Sequence, residues 1–197
     1  MARCRIELTV VSYSPAAANT MDQQEIKPLL EAISFAARAH QGHFRNDEKT
    51  PYLAHPLRVM TILAERFGVR DPETLAAAVL HDTIEDTKTD HDDLSERFGP
   101  RVADLVAALS KDKRQPEDRR EQLYHDALAD APVEAQLCKL ADVYDNLLDS
   151  AGMAPPQRRK KIDKAQQAVD RFAPVFPDEW RHALDMVREL IAAAERG

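Results

Sequence analysis

The stretch His81-Asp82-Thr83-Ile84-Glu85-Asp86 puts an imidazole and three carboxylates on one short segment. Ahead of it, Asp71 reads as an N-cap, Pro72 as a first helical residue and Glu73 as a first-turn acid. The run from Leu75 to Leu80 is apolar, so the spacing predicts one helix from about Pro72 to Asp86. On such a helix Glu85 follows His81, and Asp86 follows Asp82, by one turn each, so each pair shares a face. Groups of this kind at the edge of an apolar core repel one another and lose hydration unless a cation joins them. A divalent metal is the economical cation. The chemistry it implies is metal-assisted hydrolysis, in which the metal acidifies a water and a neighbouring carboxylate accepts the proton. A His-Asp dipeptide by itself also occurs as a surface pair or a helix cap, so the rest of the chain has to decide.

Two further residues complete a metal set. His55 sits in Pro51-Tyr52-Leu53-Ala54-His55-Pro56, at the mouth of a helix, and Asp142 sits in Lys139-Leu140-Ala141-Asp142, a carboxylate inside an apolar stretch. A buried aspartate needs a strong partner, and a metal is one.

The elements that must position these groups are helical. Ile26, Leu29, Leu30, Ile33, Ala36, Ala37 and His40 form one stripe, and a polar loop follows from Gly42 to Tyr52. A second helix is expected from Pro56 to Phe67, with Gly68 as its stop. Leu94 to Phe98 and Val102 to Leu109 suggest a short helix and a longer one joined at Gly99-Pro100, before a charged, exposed loop from Lys111 to Arg120 that enters another helix. Val133 to Leu148, Pro155 to Phe172 and an amphipathic segment from Trp180 to Ala194 follow. With five glycines and no sustained alternation, an all-α fold is expected, as one domain over residues 21–197 behind a poorly ordered tail at 1–20, with Met21 a candidate start.

Composition narrows the class. The chain has 197 residues, 44% of them hydrophobic and 31% charged, enough for a sizeable core, and no apolar run reaches the roughly 20 residues of a spanning helix. The Leu8 to Val11 cluster is too short for a signal-peptide core. Cys4 and Cys138 lie far apart without metal-type spacing and read as reduced thiols in a cytoplasmic protein. A net charge of −7 argues against a nucleic-acid polymer as partner, though not against a nucleotide held by local lysines and arginines. Nothing in the sequence sets an oligomeric state.

Ligands in the order His, His-Asp, Asp resemble those of the HD-domain metal phosphohydrolases, whose fold is a helical bundle. The likeness narrows further. His40-Gln-Gly-His-Phe-Arg45, Thr50-Pro-Tyr-Leu-Ala-His55-Pro, Leu80-His-Asp-Thr-Ile-Glu-Asp-Thr87 and Lys139-Leu-Ala-Asp142 follow the order and approximate spacing of the hydrolase half of RelA/SpoT proteins. The match runs from about Phe35 to Leu147 and is similar to the small alarmone hydrolases.

The resemblance implies that His55, His81, Asp82 and Asp142 bind one Mn²⁺, and that Glu85 and Asp86 position or deprotonate the attacking water. The implied reaction removes the 3′-pyrophosphate of ppGpp or pppGpp, yielding GDP or GTP and pyrophosphate. Arg45 matches a loop arginine that could stack on the purine, and Asn146 would share a helix face with Asp142 and bond the sugar or phosphate. Tyr52 is expected to pack in the core beside Pro51. One or two cations of Arg158-Arg159-Lys160-Lys161 would take the departing pyrophosphate, with Arg158 carried as a candidate; a solvated helix face is the other reading of that run. The family usually has a basic residue where this chain has Asn46, and commonly one where it has Val143. These departures keep open another phosphorylated nucleotide, such as an adenine alarmone or NADPH. An idle nucleotide sensor is the reading from another class, and the full set His55, His81, Asp82, Glu85, Asp86 and Asp142 argues against it. Long bifunctional members continue into a synthetase; ending at Gly197, this chain is expected to be the hydrolase alone.

Overall fold

The computed structural model describes residues 23–111, 113 and 116–196. The expected tail at 1–20, Cys4 and part of the charged 111–120 loop lie outside the described residues. Among the described residues ten α-helices follow in order: α1 Gln23–Ala39, α2 Ala54–Glu65, α3 Pro72–Leu80, α4 Thr83–Asp86, α5 His91–Phe98, α6 Pro100–Leu109, α7 Glu117–Ala129, α8 Val133–Asp149, α9 Pro155–Phe172 and α10 Arg181–Arg196. Among the described residues the β-structure is one isolated antiparallel bridge, Phe44 to Pro51, which closes the loop between α1 and α2. The all-α helical bundle is thus the fold, and no helix among the described residues is long and apolar enough to cross a membrane.

Two helices are buried on nearly every side and organise the rest. In α3 every residue from Thr74 to Leu80 is buried. In α8 the burial covers Ala135 to Cys138, Leu140 to Val143, Asp145 and Leu147. A helix buried all round belongs at the centre of a bundle, and α8 packs against α2, α9, α10 and α6, while α1 and α2 cover α3. The outer helices are amphipathic: α10 turns Ala183, Leu184, Val187 and Ile191 inward.

Local signals set the helix ends. Asp71 accepts from the Thr74 backbone N–H at 3.1 Å and from its hydroxyl at 2.5 Å, capping α3 as expected. Arg101 from α6 reaches that cap at 2.7 Å and Glu73 at 2.6 Å, tying α6 to the start of α3. Gly99 has φ 89°, which only glycine adopts cheaply, and this turn sends α5 directly into α6 at Pro100. Cys138 is a free, buried thiol whose ionisation burial pushes up.

One expectation fails. The helix predicted from Pro72 to Asp86 breaks after Leu80, and a separate single turn carries Glu85 and Asp86. The break is made by side chains that take carbonyls from the backbone ladder: His81 Nδ1 donates to the Ala78 carbonyl at 2.8 Å, and the Thr83 hydroxyl donates to that of Leu80 at 2.7 Å.

Leu184 has 0% exposure, so Leu184→Ala should destabilise the protein by about 2–5 kcal/mol in urea denaturation. Val175→Ala, at a residue 55% exposed, should stay within about 1 kcal/mol.

Candidate metal centre and its cavity

The break after α3 decides how His81 and Asp82 meet. On a continuous helix neighbouring residues point about 100° apart. Here Asp82 turns at φ −97°, ψ −1°, and His81 Nε2 comes to 2.9 Å from Asp82 Oδ2. His55, at the first turn of α2, brings its Nε2 to 3.7 Å from the same oxygen. Donor atoms of His55, His81 and Asp82 all lie within 4.8 Å of one another.

Both imidazoles are oriented from behind. His81 donates through Nδ1 to a carbonyl, and His55 through Nδ1 to the carboxylate of Asp145 at 2.7 Å. In the neutral rings each Nε2 therefore keeps its lone pair, aimed at the cluster. His81 Nε2 is buried without a hydrogen-bond partner. Lone pairs converging on carboxylate oxygens in a buried place require a cation between them, and two imidazole nitrogens with carboxylate oxygen are a donor set that fits a divalent metal. A proton is the substitute: burial disfavours the charged His81 ring, yet Asp82 beside it raises its pKa to about 9.

Asp142 stands next to this group, its Oδ1 3.2 Å from His55 Nε2. Its other oxygen accepts from the Lys139 ammonium at 2.7 Å, and Oδ1 also accepts from the Asn146 amide at 2.5 Å. Burial opposes ionisation of Asp142, but Lys139 and His55 hold its carboxyl well below the usual range. Lys139, half-buried, keeps its charge because Asp142 faces it.

Tyr52 does more than pack: its hydroxyl donates to Asp82 Oδ2 at 2.6 Å, while its ring lies 4.8 Å from that of His40. Burial, then Asp82, push the phenol far above its ordinary pKa, so it remains a donor.

A cavity of ≈ 270 Å³ opens over the cluster, and a wider one of ≈ 850 Å³ adjoins it, both lined by Arg45, Asn46, His55, Lys161 and Lys164. Glu85 and Asp86 stand on the wall of the smaller one. Glu85 Oε2 accepts from the Lys111 backbone N–H at 3.2 Å, and Asp86 Oδ1 lies 3.5 Å from Lys113 Nζ. Arg45 reaches the cavity but is paired with Asp149 at 2.7 Å. Asn146 links Asp142 to the Lys161 ammonium, which donates to its carbonyl oxygen at 2.8 Å. Arg158 is not brought to the site: its guanidinium donates to the Ala194 carbonyl at 2.6 Å, between α9 and α10. Lys161 and Lys164, at other positions around the same helix, face the cavity instead.

Sequence reasoning assigned no role to Lys139, Asp145, Arg58 or Lys164. A signal was present for α8, where Lys139, Asp142, Asp145, Asn146 and Asp149 recur every three or four residues on one face.

A protein-family model described as an HD domain matches residues 32–175, more than half of the chain and all four candidate ligands. The chain belongs to the HD-domain family. Several similar proteins are named as (p)ppGpp hydrolases. The human guanosine-3′,5′-bis(diphosphate) 3′-pyrophosphohydrolase MESH1 is 43% identical over 126 residues, covering 64% of this chain and 70% of that one. The bifunctional (p)ppGpp synthase/hydrolase SpoT of Escherichia coli K12 is 35% identical over 161 residues, 79% of this chain but 22% of the longer protein. A solved structure of a metazoan SpoT ortholog that hydrolyses ppGpp superposes with a TM-score of 0.73 at 30% identity, over 87% of this chain and 96% of that one.

Chelator-treated protein should melt several degrees higher when a divalent ion is restored, because an ion bound only by the folded state stabilises it by mass action. His81→Ala should abolish that rise in a thermal-shift titration. A second outcome concerns His125 of α7, whose buried Nδ1 lacks a hydrogen-bond partner. Burial, reinforced by Lys139, lowers its pKa to about 4, so the folded state keeps the ring neutral. The unfolded chain takes up that proton near pH 6.5, so this contribution is present above pH 6.5 and is lost as pH falls toward 4. Denaturation at pH 7.5 and 4.5 should show His125→Gln losing less stability than the parent protein.

Proposed function

We propose that the protein is a Mn²⁺-dependent cytoplasmic hydrolase that removes the 3′-diphosphate of a guanosine tetra- or pentaphosphate, releasing GDP or GTP and pyrophosphate. The observation that carries this reading is the cluster of buried His55 and His81 with half-buried Asp82, opening onto a cavity lined by the Glu85-Asp86 pair and by lysines. Relatives with that activity add to it.

His55, His81, Asp82 and Asp142 would hold the ion, and a donor set of nitrogen and oxygen without thiolate suits manganese. The ion, when bound, supplies acidity to a water and draws charge from the phosphoryl oxygens. Glu85, fixed through Oε2 by the Lys111 backbone, takes the proton as the water oxygen adds to the phosphorus next to the ribose 3′ oxygen. The bond from that phosphorus to the 3′ oxygen breaks, the 3′ oxygen takes up a proton, and pyrophosphate leaves. Asp86 positions the water beside it.

The cations have separate tasks. Lys161 is half enclosed, and burial together with Arg45, Lys164 and Lys139 lowers its pKa, so a phosphate would relieve it. With Lys164 it offers the charge that Asn46 and Val143 do not. Arg45, whose guanidinium lies 5.8 Å from the Tyr52 ring centre, presents a flat face suited to a purine once it leaves Asp149. Asn146 is placed to bond the sugar or a phosphate.

Metal-stripped protein incubated with ppGpp, with and without Mn²⁺, should yield GDP and pyrophosphate by chromatography only in the presence of the ion. No release by metal-loaded protein would overturn the assignment in favour of another phosphorylated nucleotide, such as an adenine alarmone or NADPH, or of a nucleotide sensor. Glu85→Gln and Asp86→Asn should each lower kcat by about 10²–10⁴-fold while Mn²⁺ affinity is retained. Lys161→Ala should act mainly on KM, raising it about tenfold.

A further inference from the structure

His55 and His81 face the same centre, but what stands behind them differs in charge. His81 leans on a neutral carbonyl, that of Ala78. His55 leans on a carboxylate, that of Asp145, which is 0% exposed in the middle of α8. A carboxylate is not left in a helical core without strong partners, and both oxygens of Asp145 face α2, Oδ2 in a hydrogen bond and Oδ1 in an ion pair. Oδ2 accepts from His55 Nδ1 at 2.7 Å, and Oδ1 lies 2.6 Å from Arg58 Nε, one turn further along the same helix. Arg58 then continues to Asp149 Oδ1 at 2.7 Å, so one guanidinium spans two carboxylates a turn apart on α8. Asp149 in turn holds Arg45.

We infer that Asp145, clamped by Arg58, is a positioning residue that sets how strongly His55 binds the ion. Three consequences follow from the geometry. The hydrogen bond fixes the ring plane, because α2 and α8 hold both ends of it. It fixes the tautomer, leaving the lone pair on Nε2. It also places a full negative charge behind the ring, which makes Nε2 a stronger donor than a carbonyl partner would. Arg58 offsets the buried charge of Asp145 and locks its carboxylate in the orientation that His55 needs. The inference rests on the metal assignment and is independent of which nucleotide is hydrolysed.

The test is Mn²⁺ binding to metal-depleted protein by equilibrium dialysis, without nucleotide, for the parent protein, Asp145→Asn, Arg58→Ala and Arg58→Lys. Asp145→Asn keeps the size and removes the charge; it should weaken Mn²⁺ binding about 10–100-fold with an unchanged circular-dichroism spectrum. Arg58→Ala should weaken it less, and Arg58→Lys should recover part of the loss. Nitrogen-15 spectra of the metal-free histidines should show His55 protonated at Nδ1 in the parent and as a tautomer mixture in Asp145→Asn. A folded Asp145→Asn with parental Mn²⁺ affinity overturns the inference, whatever the substrate proves to be. If that variant does not fold, parental affinity in Arg58→Ala overturns it equally. A role confined to holding the helices together would lower the melting temperature of all three variants and leave the Mn²⁺ affinity of each unchanged.

Discussion

Imidazole lone pairs and carboxylate oxygens converge at the buried ends of two apolar helices, and this arrangement is stable only if positive charge sits among them. His81 and Asp82 stand where α3 runs out, His55 where α2 begins, and Asp142 midway along α8. Some neighbouring groups answer part of that demand. Lys139 neutralises one oxygen of Asp142, Tyr52 hydrogen-bonds Asp82, and His81 can take up a proton. These groups hold the site together without closing its centre, because each approaches from the rim or from behind. A divalent ion satisfies the same lone pairs at one point, which a single proton shared between two atoms cannot do.

The bundle separates two tasks by depth. The candidate donors stand on α2 and α8 and at the end of α3, on backbones held by packing within the bundle. Its outer helices and the loop after α1 carry the cations of the cavity wall. Arg45, Lys161 and Lys164 are long side chains already engaged by Asp149, Asn146 and Glu121, partners they can exchange for phosphate oxygens. Acidic and basic residues thus line one cavity together in a protein whose overall charge is negative. Local field, rather than net charge, decides what such a cavity attracts.

The break between α3 and α4 is the point where local structure is given up for the site. A continuous helix would satisfy the carbonyls of Ala78 and Leu80 with backbone donors and would splay His81 away from Asp82. The protein instead satisfies those carbonyls with the His81 ring and the Thr83 hydroxyl, so the interruption leaves neither of them without a partner. The hydrogen bond that ends the helix is also the one that fixes the His81 tautomer.

Much of this was readable from the residues alone. The apolar periodicities marked the helices on either side of the site, Asp71-Pro72 marked the start of α3, and Gly99-Pro100 marked the joint between α5 and α6, because caps, prolines and positive-φ glycines act within a few residues of themselves. His55, His81, Asp82 and Asp142 stood out because polar groups embedded in apolar runs need a reason to be there. The tertiary structure alone decided what those groups touch. The periodicity ran through His81 and Asp82 without a sign of the break, since it counts positions and not the competition between side chain and backbone for a carbonyl. Asp145 looked like any acid on α8 until the packing of α2 brought His55 and Arg58 against it from 90 and 87 residues away in the chain. Arg158 and Lys161 are neighbours in a single basic run, yet one faces α10 and the other the cavity. A sequence records which charges are available; the angle at which two helices cross decides which of them meet.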